Sequence, residues 1–133
     1  MSNQPEYDIY ILDDDKNYLF LYEQLFKSKK LTVKTFTSAD DLLVALKQSP
    51  PKVLILDMMM PDMNGDQVII RISEQKLINL FVPIMITSIE MDDEARFGYA
   101  TLGIDLILPK NVKNTELLDV VDRKIKEWES YCA

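Results

Sequence analysis

Strand-like and helix-like segments alternate five times along this chain, and that alternation limits the fold more tightly than any single motif. Residues 9–12, 53–57, 82–87 and 105–108 are short, nearly unbroken apolar runs. Runs of this length and β-branched content predict strands buried on both faces. Residues 31–36 alternate instead, with Leu31, Val33 and Thr35 on one side and Thr32, Lys34 and Phe36 on the other. That pattern predicts an edge strand with one face partly exposed. Helical spacing fills the gaps. Tyr18, Leu21, Tyr22, Leu25 and Phe26 give residues 17–28 an apolar stripe, and Val68, Ile69 and Ile72 do the same for residues 66–75. Strands alternating with helices predict an α/β fold: a parallel sheet, doubly wound, with helices on both faces and right-handed crossovers.

Local signals bound the helices. Ser38 and Asp41 make a capping-box pattern, with Asp in place of Glu, ahead of Leu42, Leu43, Ala45 and Leu46. Pro50-Pro51 stops that helix. Lys27, Lys29 and Lys30 place positive charge where the first helix dipole favours it, and read as a solvated helix end. Pro61 and Asn64-Gly65 mark a turn. Pro83 sits near the start of its strand, where a missing donor is tolerable. Residues 92–102 open with three acids, although Gly98 weakens the helical signal. Asn114 is expected to cap a last helix reaching about residue 131, with Leu117, Leu118, Val121, Ile125 and Trp128 as its buried stripe.

With 133 residues, 47% of them apolar, the chain suits one domain and one core, expected over residues 1–133. A net charge of −7 and a pI of about 4.5 argue against nonspecific nucleic-acid binding. The single cysteine, Cys132, cannot form an internal disulfide, which fits a reducing compartment such as the cytoplasm. No apolar run approaches the length of a membrane span, and residues 1–6 lack the basic-then-apolar order of a signal peptide. The absence of histidine excludes His-based triads, general bases and metal ligands, and excludes a phosphohistidine on this chain.

The residues able to do chemistry fall at the C-terminal ends of the predicted strands. Asp13 and Asp14 follow the first, Asp57 ends the third, Thr87 and Ser88 close the fourth, and Lys110 follows the fifth. In an open α/β sheet those ends share the rim where ligands bind. If the first and third strands are neighbours, Asp13, Asp14 and Asp57 converge there. Three carboxylates in one place repel one another. An oxygen-seeking divalent cation relieves the conflict, and about two carboxylates with a carbonyl and waters is the usual environment of Mg2+. Three acids, one Lys and one Mg2+ carry no net charge. A phosphoryl group adds about −1.5 to −2. Mg2+, Lys110 and the Thr87 hydroxyl are the kinds of group that stabilise such charge. Residues 53–65 taken alone fit an Asp57 that only caps the following loop; the company it keeps at the rim favours a phosphoryl acceptor.

Four motifs, in order and at strand ends, then carry a resemblance. They are Asp13-Asp14 after an apolar strand; Asp57-Met-Met-Met-Pro-Asp-Met-Asn-Gly65; Thr87-Ser88 after an apolar strand; and Lys110 after Gly103-Ile-Asp-Leu-Ile-Leu-Pro. Over almost its whole length the chain resembles the receiver domain of bacterial two-component response regulators. The resemblance implies a flavodoxin-like (βα)5 domain with strand order 2-1-3-4-5. It implies that Asp57 takes a phosphoryl group from a phosphohistidine on a sensor histidine kinase or histidine phosphotransfer protein, forming an acyl phosphate. The implied cofactor is Mg2+, bound directly by Asp14, mainly through water by Asp13, and by Asp57 and the backbone carbonyl of Met59. Thr87 would bind a phosphoryl oxygen and move toward it. Lys110 would pair with Asp57 and then with the phosphoryl group. Such a domain acts as a cytoplasmic switch rather than a turnover enzyme, and itself contacts neither nucleic acid nor membrane. Its switched face would span residues 92–108 and 114–128 and meet a protein target or a second copy of itself.

Some positions depart from the family pattern. Ile107 stands where the family usually has an aromatic residue coupled to the Thr movement, so that coupling must differ. Asn111 stands where the family usually has Pro, often after a cis bond. A cis bond before a non-proline residue costs about 2.5–4 kcal/mol, so a trans bond or a rearranged loop is expected. Met59 and Ile89, two positions after Asp57 and Thr87, carry no group to orient an attacking water, and slow self-dephosphorylation is expected. Ile107 and Asn111 raise one alternative, a degenerate receiver that serves as a phosphorylation-independent interaction module. The other is a metal-dependent phosphohydrolase; Met59 in place of a second acid, and the lack of a cap insertion, weigh against it. Several residues take plain structural readings: Asp15 as a helix N-terminal acid, Ser88 as a polar neighbour, Met58, Met59, Met60 and Met63 mainly as core fillers, and Trp128 as a core anchor.

Overall fold

Period-two alternation along the strands sorts the apolar side chains into two cores, one on each face of a sheet. The computed structural model describes residues 5–58, 64–88, 90–104 and 106–132. Its strands are β1 (Ile9–Leu12), β2 (Val33–Phe36), β3 (Val53–Asp57), β4 (Val82–Thr87) and β5 (Ile107–Pro109). Helices α1 (Lys16–Lys27), α2 (Ala39–Gln48), α3 (Gly65–Glu74), α4 (Asp93–Thr101) and α5 (Asn114–Cys132) alternate with them. All five strands are parallel, in the order β2-β1-β3-β4-β5. This is the doubly wound, flavodoxin-like order expected above, with β2 on an edge. Ile9, Ile11, Val53, Ile55, Ile84 and Ile86 pack with Leu19, Tyr22 and Phe26 of α1 and Leu117, Val121 and Ile125 of α5. Tyr10, Leu12, Leu54, Leu56, Met85 and Ile107 pack with side chains of α2, α3 and α4 on the other face. Full burial of a side chain of this size is worth about 1.5–3 kcal/mol, so this two-faced burial dominates the choice of register.

Register sets the rim. Leu12 is level with Leu56, so the residues that follow them, Asp13 and Asp57, arrive together. Asp57 is level with Ile86, and Thr87 with Pro109, which brings Thr87 and Lys110 to the same edge. Side chains then start the helices that leave it. Asp15 caps α1 by accepting the Asn17 N–H at 2.9 Å, and Asp92 caps α4 by accepting the Ala95 N–H at 2.8 Å. Ser38 caps α2 through the Asp41 N–H at 3.3 Å. Asn64 and Gln67 cap α3 reciprocally, at 3.0 and 3.1 Å.

Several elements differ from expectation. Asn64-Gly65 is not a turn: with Asn64 as the cap, Gly65 is the first residue of α3. On α1 the buried stripe is Leu19, Tyr22 and Phe26, and Leu21 is 62% exposed, because the helix turns its i, i+3, i+7 row onto the sheet. β5 starts at Ile107 rather than two residues earlier, and Asp105 lies outside the described residues. Asn114 is the first residue of α5 rather than its cap; the Leu117 N–H already bonds the Lys113 carbonyl at 2.9 Å. Val120 is buried on α5, whereas Leu118 and Trp128 are only partly buried. Trp128 instead ties the end of α5 to a short 3-10 turn (Ile78–Leu80), donating its indole N–H to the Leu80 carbonyl at 3.1 Å. β5 flanks only Met85–Thr87 of β4, so Pro83 has no β5 residue opposite it. Among the described residues no helix is long and apolar enough to cross a membrane.

Candidate functional site

The parallel register converts three sequence-distant acids into one cluster. Asp13, Asp14 and Asp57 each offer a carboxylate oxygen, and these lie within 4.8 Å of one another. Asp13 and Asp57 are buried, and Asp14 is exposed at the mouth. Lys110 Nζ lies 2.6 Å from Asp13 Oδ2 and 3.5 Å from Asp57 Oδ1. The lysine thus reaches the expected Asp57, but its nearer partner is Asp13. Both carboxylates are buried, so neither attraction is strongly screened. The second Asp13 oxygen accepts the Asp15 N–H at 2.9 Å, so both of its oxygens are engaged. Asp15 itself is a helix cap, as its plain reading held.

Burial pulls the Lys110 pKa down, but its hydrogen bond to Asp13, the Asp13 charge and then the Asp57 charge outweigh that effect and leave it raised. The lysine is held as an ammonium. Its backbone is held too: the Lys110 N–H donates to the Thr87 carbonyl at 2.8 Å. No cis peptide occurs among the described residues, so the bond before Asn111 is trans, as expected without a proline there.

Asp13, Asp14, Asp15, Asp57, Ser88, Lys110 and Tyr18 line an open pocket of about 250 Å³. Thr87 is buried on β4 and borders a neighbouring hollow of about 460 Å³ with Ser88, Arg96, Ile107 and Asn111. Ser88 borders both, so the two spaces share a wall. Of the residues expected at the site, Asp13, Asp14, Asp57 and Lys110 meet in one pocket and Thr87 stands beside it. Met59, Met60, Met63 and Ile89 lie outside the described residues. All three acidic donors are oxygens, and three negative charges face one positive charge. That donor set fits a hard divalent cation such as Mg2+.

Two side chains at or near the rim were not legible as such. Tyr18 reads as part of the α1 stripe, yet its ring centroid is 4.2 Å from Lys110 Nζ. The available signal was position alone: Tyr18 lies one helical turn beyond Asp14, and a helix starting at the rim keeps its first turn there. Tyr99 of α4 donates its hydroxyl to Asp66 of α3 and approaches Met58 Sδ at 3.7 Å, just after Asp57. Burial first, and the Asp66 contact second, push the Tyr99 hydroxyl well above the usual tyrosine range.

Fold and rim together define a doubly wound α/β domain with an acidic, lysine-closed pocket at its strand ends. Residues 9–122 match the response regulator receiver domain, and the chain belongs to that family of two-component systems. It is 28% identical over 121 residues to the DNA-binding transcriptional regulator NtrC of Proteus hauseri, covering 91% of this chain and 25% of that protein. The chain thus spans about a quarter of the length of that relative. Its fold is similar to the receiver domain of a LuxO repressor protein from Vibrio parahaemolyticus, with a TM-score of 0.84 at 20% identity, covering 96% of this chain and 95% of that one. A CheY-like receiver domain protein from Methanospirillum hungatei gives 0.81 at 23% identity, covering 92% and 96%. At these identities the structural likeness speaks for the fold.

Proposed function

We propose that this chain, taken as one domain over residues 1–133, is a phosphoacceptor in a two-component phosphorelay, with Asp57 as the acceptor. The observation that best supports this is the convergence of Asp13, Asp14 and Asp57 with Lys110 on one rim. A carboxylate oxygen of Asp57 attacks the phosphorus of a phosphohistidine on a sensor histidine kinase or histidine phosphotransfer protein. The new O–P bond forms as the P–N bond breaks. The electron pair leaves on the imidazole nitrogen, which then takes a proton.

Mg2+, when bound, would supply positive charge to the oxygens of the transferring group. Asp14 and Asp57 would hold it directly through carboxylate oxygens, and the backbone carbonyl of Met59, which lies outside the described residues, would be the third ligand. Asp13 would act through water, which suits a residue whose two oxygens already face Lys110 and the Asp15 N–H. Lys110, kept charged by Asp13, turns from the Asp57 carboxylate to the phosphoryl oxygens. The Thr87 hydroxyl binds one of those oxygens. Because Ile107 borders the hollow beside Thr87, no swinging polar ring on β5 follows that movement. Phosphorylation shifts a two-state equilibrium in the face of residues 92–108 and 114–128, which then meets a downstream protein or a second copy. The domain works in the cytoplasm as a switch rather than a turnover enzyme, without contacting nucleic acid or membrane itself.

Intact mass after incubation with a small phosphodonor, with and without Mg2+, tests this. One added phosphoryl group is expected, dependent on Mg2+ and absent in Asp57→Asn. No adduct, with the donor left intact, would indicate a degenerate interaction module. Donor turnover without an adduct would indicate a phosphohydrolase.

A further inference from the structure

Tyr18 lies outside the acid–lysine set, yet its aromatic face is turned on it. The Lys110 ammonium has Asp13 at 2.6 Å, Asp57 at 3.5 Å and the Tyr18 ring centroid at 4.2 Å. Only 17% of the Lys110 side chain is exposed, and the Tyr18 ring is the one aromatic face within cation–π range of its ammonium among the described residues. Tyr18 is itself held in place. The Asp15 cap starts the helix immediately before it, and its ring centroid lies 6.0 Å from that of Tyr22, which is buried between α1 and the sheet.

We propose that Tyr18 is a positioning residue for phosphoryl transfer, its ring face holding the Lys110 ammonium toward Asp13 and Asp57 and shielding that side from water. The inference rests on Asp57 being the phosphoacceptor. A ring face attracts a cation through its quadrupole, not by taking up a particular N–H as a carboxylate does. The N–H donors of Lys110 stay directed at oxygens, first those of the acids and then those of the arriving phosphoryl group. A water in the place of the ring would accept one of them and would leave the long, flexible lysine stem less constrained. The ring thereby restricts the ammonium to the side of the pocket where charge develops.

The test compares wild type with Tyr18→Phe, which keeps the ring, and with Tyr18→Leu and Tyr18→Gln, two ringless variants that guard against a folding defect in either. NMR of the Lys110 ε-methylene reads the ring directly. Its proton resonances are expected upfield in wild type and Tyr18→Phe, and shifted toward ordinary lysine values in the ringless pair. Intact mass over time with a small acyl phosphate and Mg2+ reads the chemistry. Adduct formation is expected about two- to fivefold slower without the ring, as a partly exposed cation–π contact supports, and to recover in Tyr18→Phe. Unchanged resonances and rates in the ringless variants would overturn the proposal, as would a Tyr18→Phe that behaves like Tyr18→Leu. If wild type itself gains no mass, the phosphoacceptor reading fails and the positioning role fails with it, even where the resonance shows the ring in contact.

Discussion

Two glycines should respond to the same substitution in opposite directions. A Cβ added at Gly65 would sit 2.9 Å from the Met58 Cα, 3.2 Å from Met85 Cε and 3.5 Å from the Asp57 carbonyl oxygen. The closest contact is backbone, which cannot swing aside as a side-chain tip can. The Gly65 N–H also donates to the Met58 carbonyl at 2.7 Å, so the start of α3 is tied to the chain just after Asp57. Forcing a methyl into packing of this kind costs about 1–3 kcal/mol. Gly65 is the first residue of α3, where the helix-interior advantage of Ala returns little, so Gly65→Ala is destabilised by about 1–3 kcal/mol. Gly98, inside α4, has nothing within 4 Å of the added Cβ, so Gly98→Ala should stabilise by about 0.5–1 kcal/mol. The two variants should differ by about 1.5–4 kcal/mol, or roughly 1 M or more in urea midpoint for a domain of this size. Gly65→Ala should also slow phosphorylation, since any relief of the contact moves the backbone beside Asp57. A Gly65→Ala as stable as wild type, or a destabilised Gly98→Ala, would refute the argument.

Other outcomes follow from the same structure. Tyr99 has a raised pKa in the folded state, from burial first and Asp66 second. Its stabilisation is therefore full below pH about 10, the unfolded value, and is lost as pH rises through the folded value. Tyr99→Phe should cost about 1 kcal/mol at pH 8 and lose less stability than wild type on going to pH 11; equal losses in urea melts would contradict this. Asn64→Ala removes the reciprocal cap of α3 and should cost about 1 kcal/mol, with Asn64→Ser recovering most of it; thermal unfolding of the pair decides the matter. With Met59 and Ile89 unable to orient a water, the phosphorylated domain should keep its phosphoryl group for minutes or longer, and a half-life of seconds by mass would count against that assignment.

Much of the fold was legible because burial leaves a period in the sequence. The runs at 9–12 and 53–57 place alternate residues on opposite faces, and both faces are buried, so their strand character needed no further signal. The errors fell where local pattern is ambiguous. On α1, Leu19 and Leu21 are equally apolar but lie on nearly opposite faces, and which face the helix turns onto the sheet buries one and exposes the other. At Asn64-Gly65 the same dipeptide serves a turn or a helix start, and the Gln67 side chain closing the cap decides between them. Trp128 reads as core, but in the last turns of α5 it is only partly buried, beside the start of β4, and its indole N–H bonds the Leu80 carbonyl.

The sequence by itself determined the α/β class and the kind of residue at each strand end, since periodicity and strand-terminal acids are local properties. It also made Asp13, Asp14, Asp57, Thr87 and Lys110 the residues to examine. Only the tertiary structure decided how they are arranged. Lys110 meets Asp13 across 97 positions of sequence, more closely than it meets Asp57. Tyr18 turned from an apolar stripe to the face of that lysine, and Tyr99 joined α4 to α3 through Asp66. Carboxylates that are chemically alike in sequence differ in burial: Asp13 and Asp57 lie below the surface, and Asp14 is exposed. That difference in depth comes from the register of neighbouring strands and the packing of the helices over them, which no single segment specifies alone.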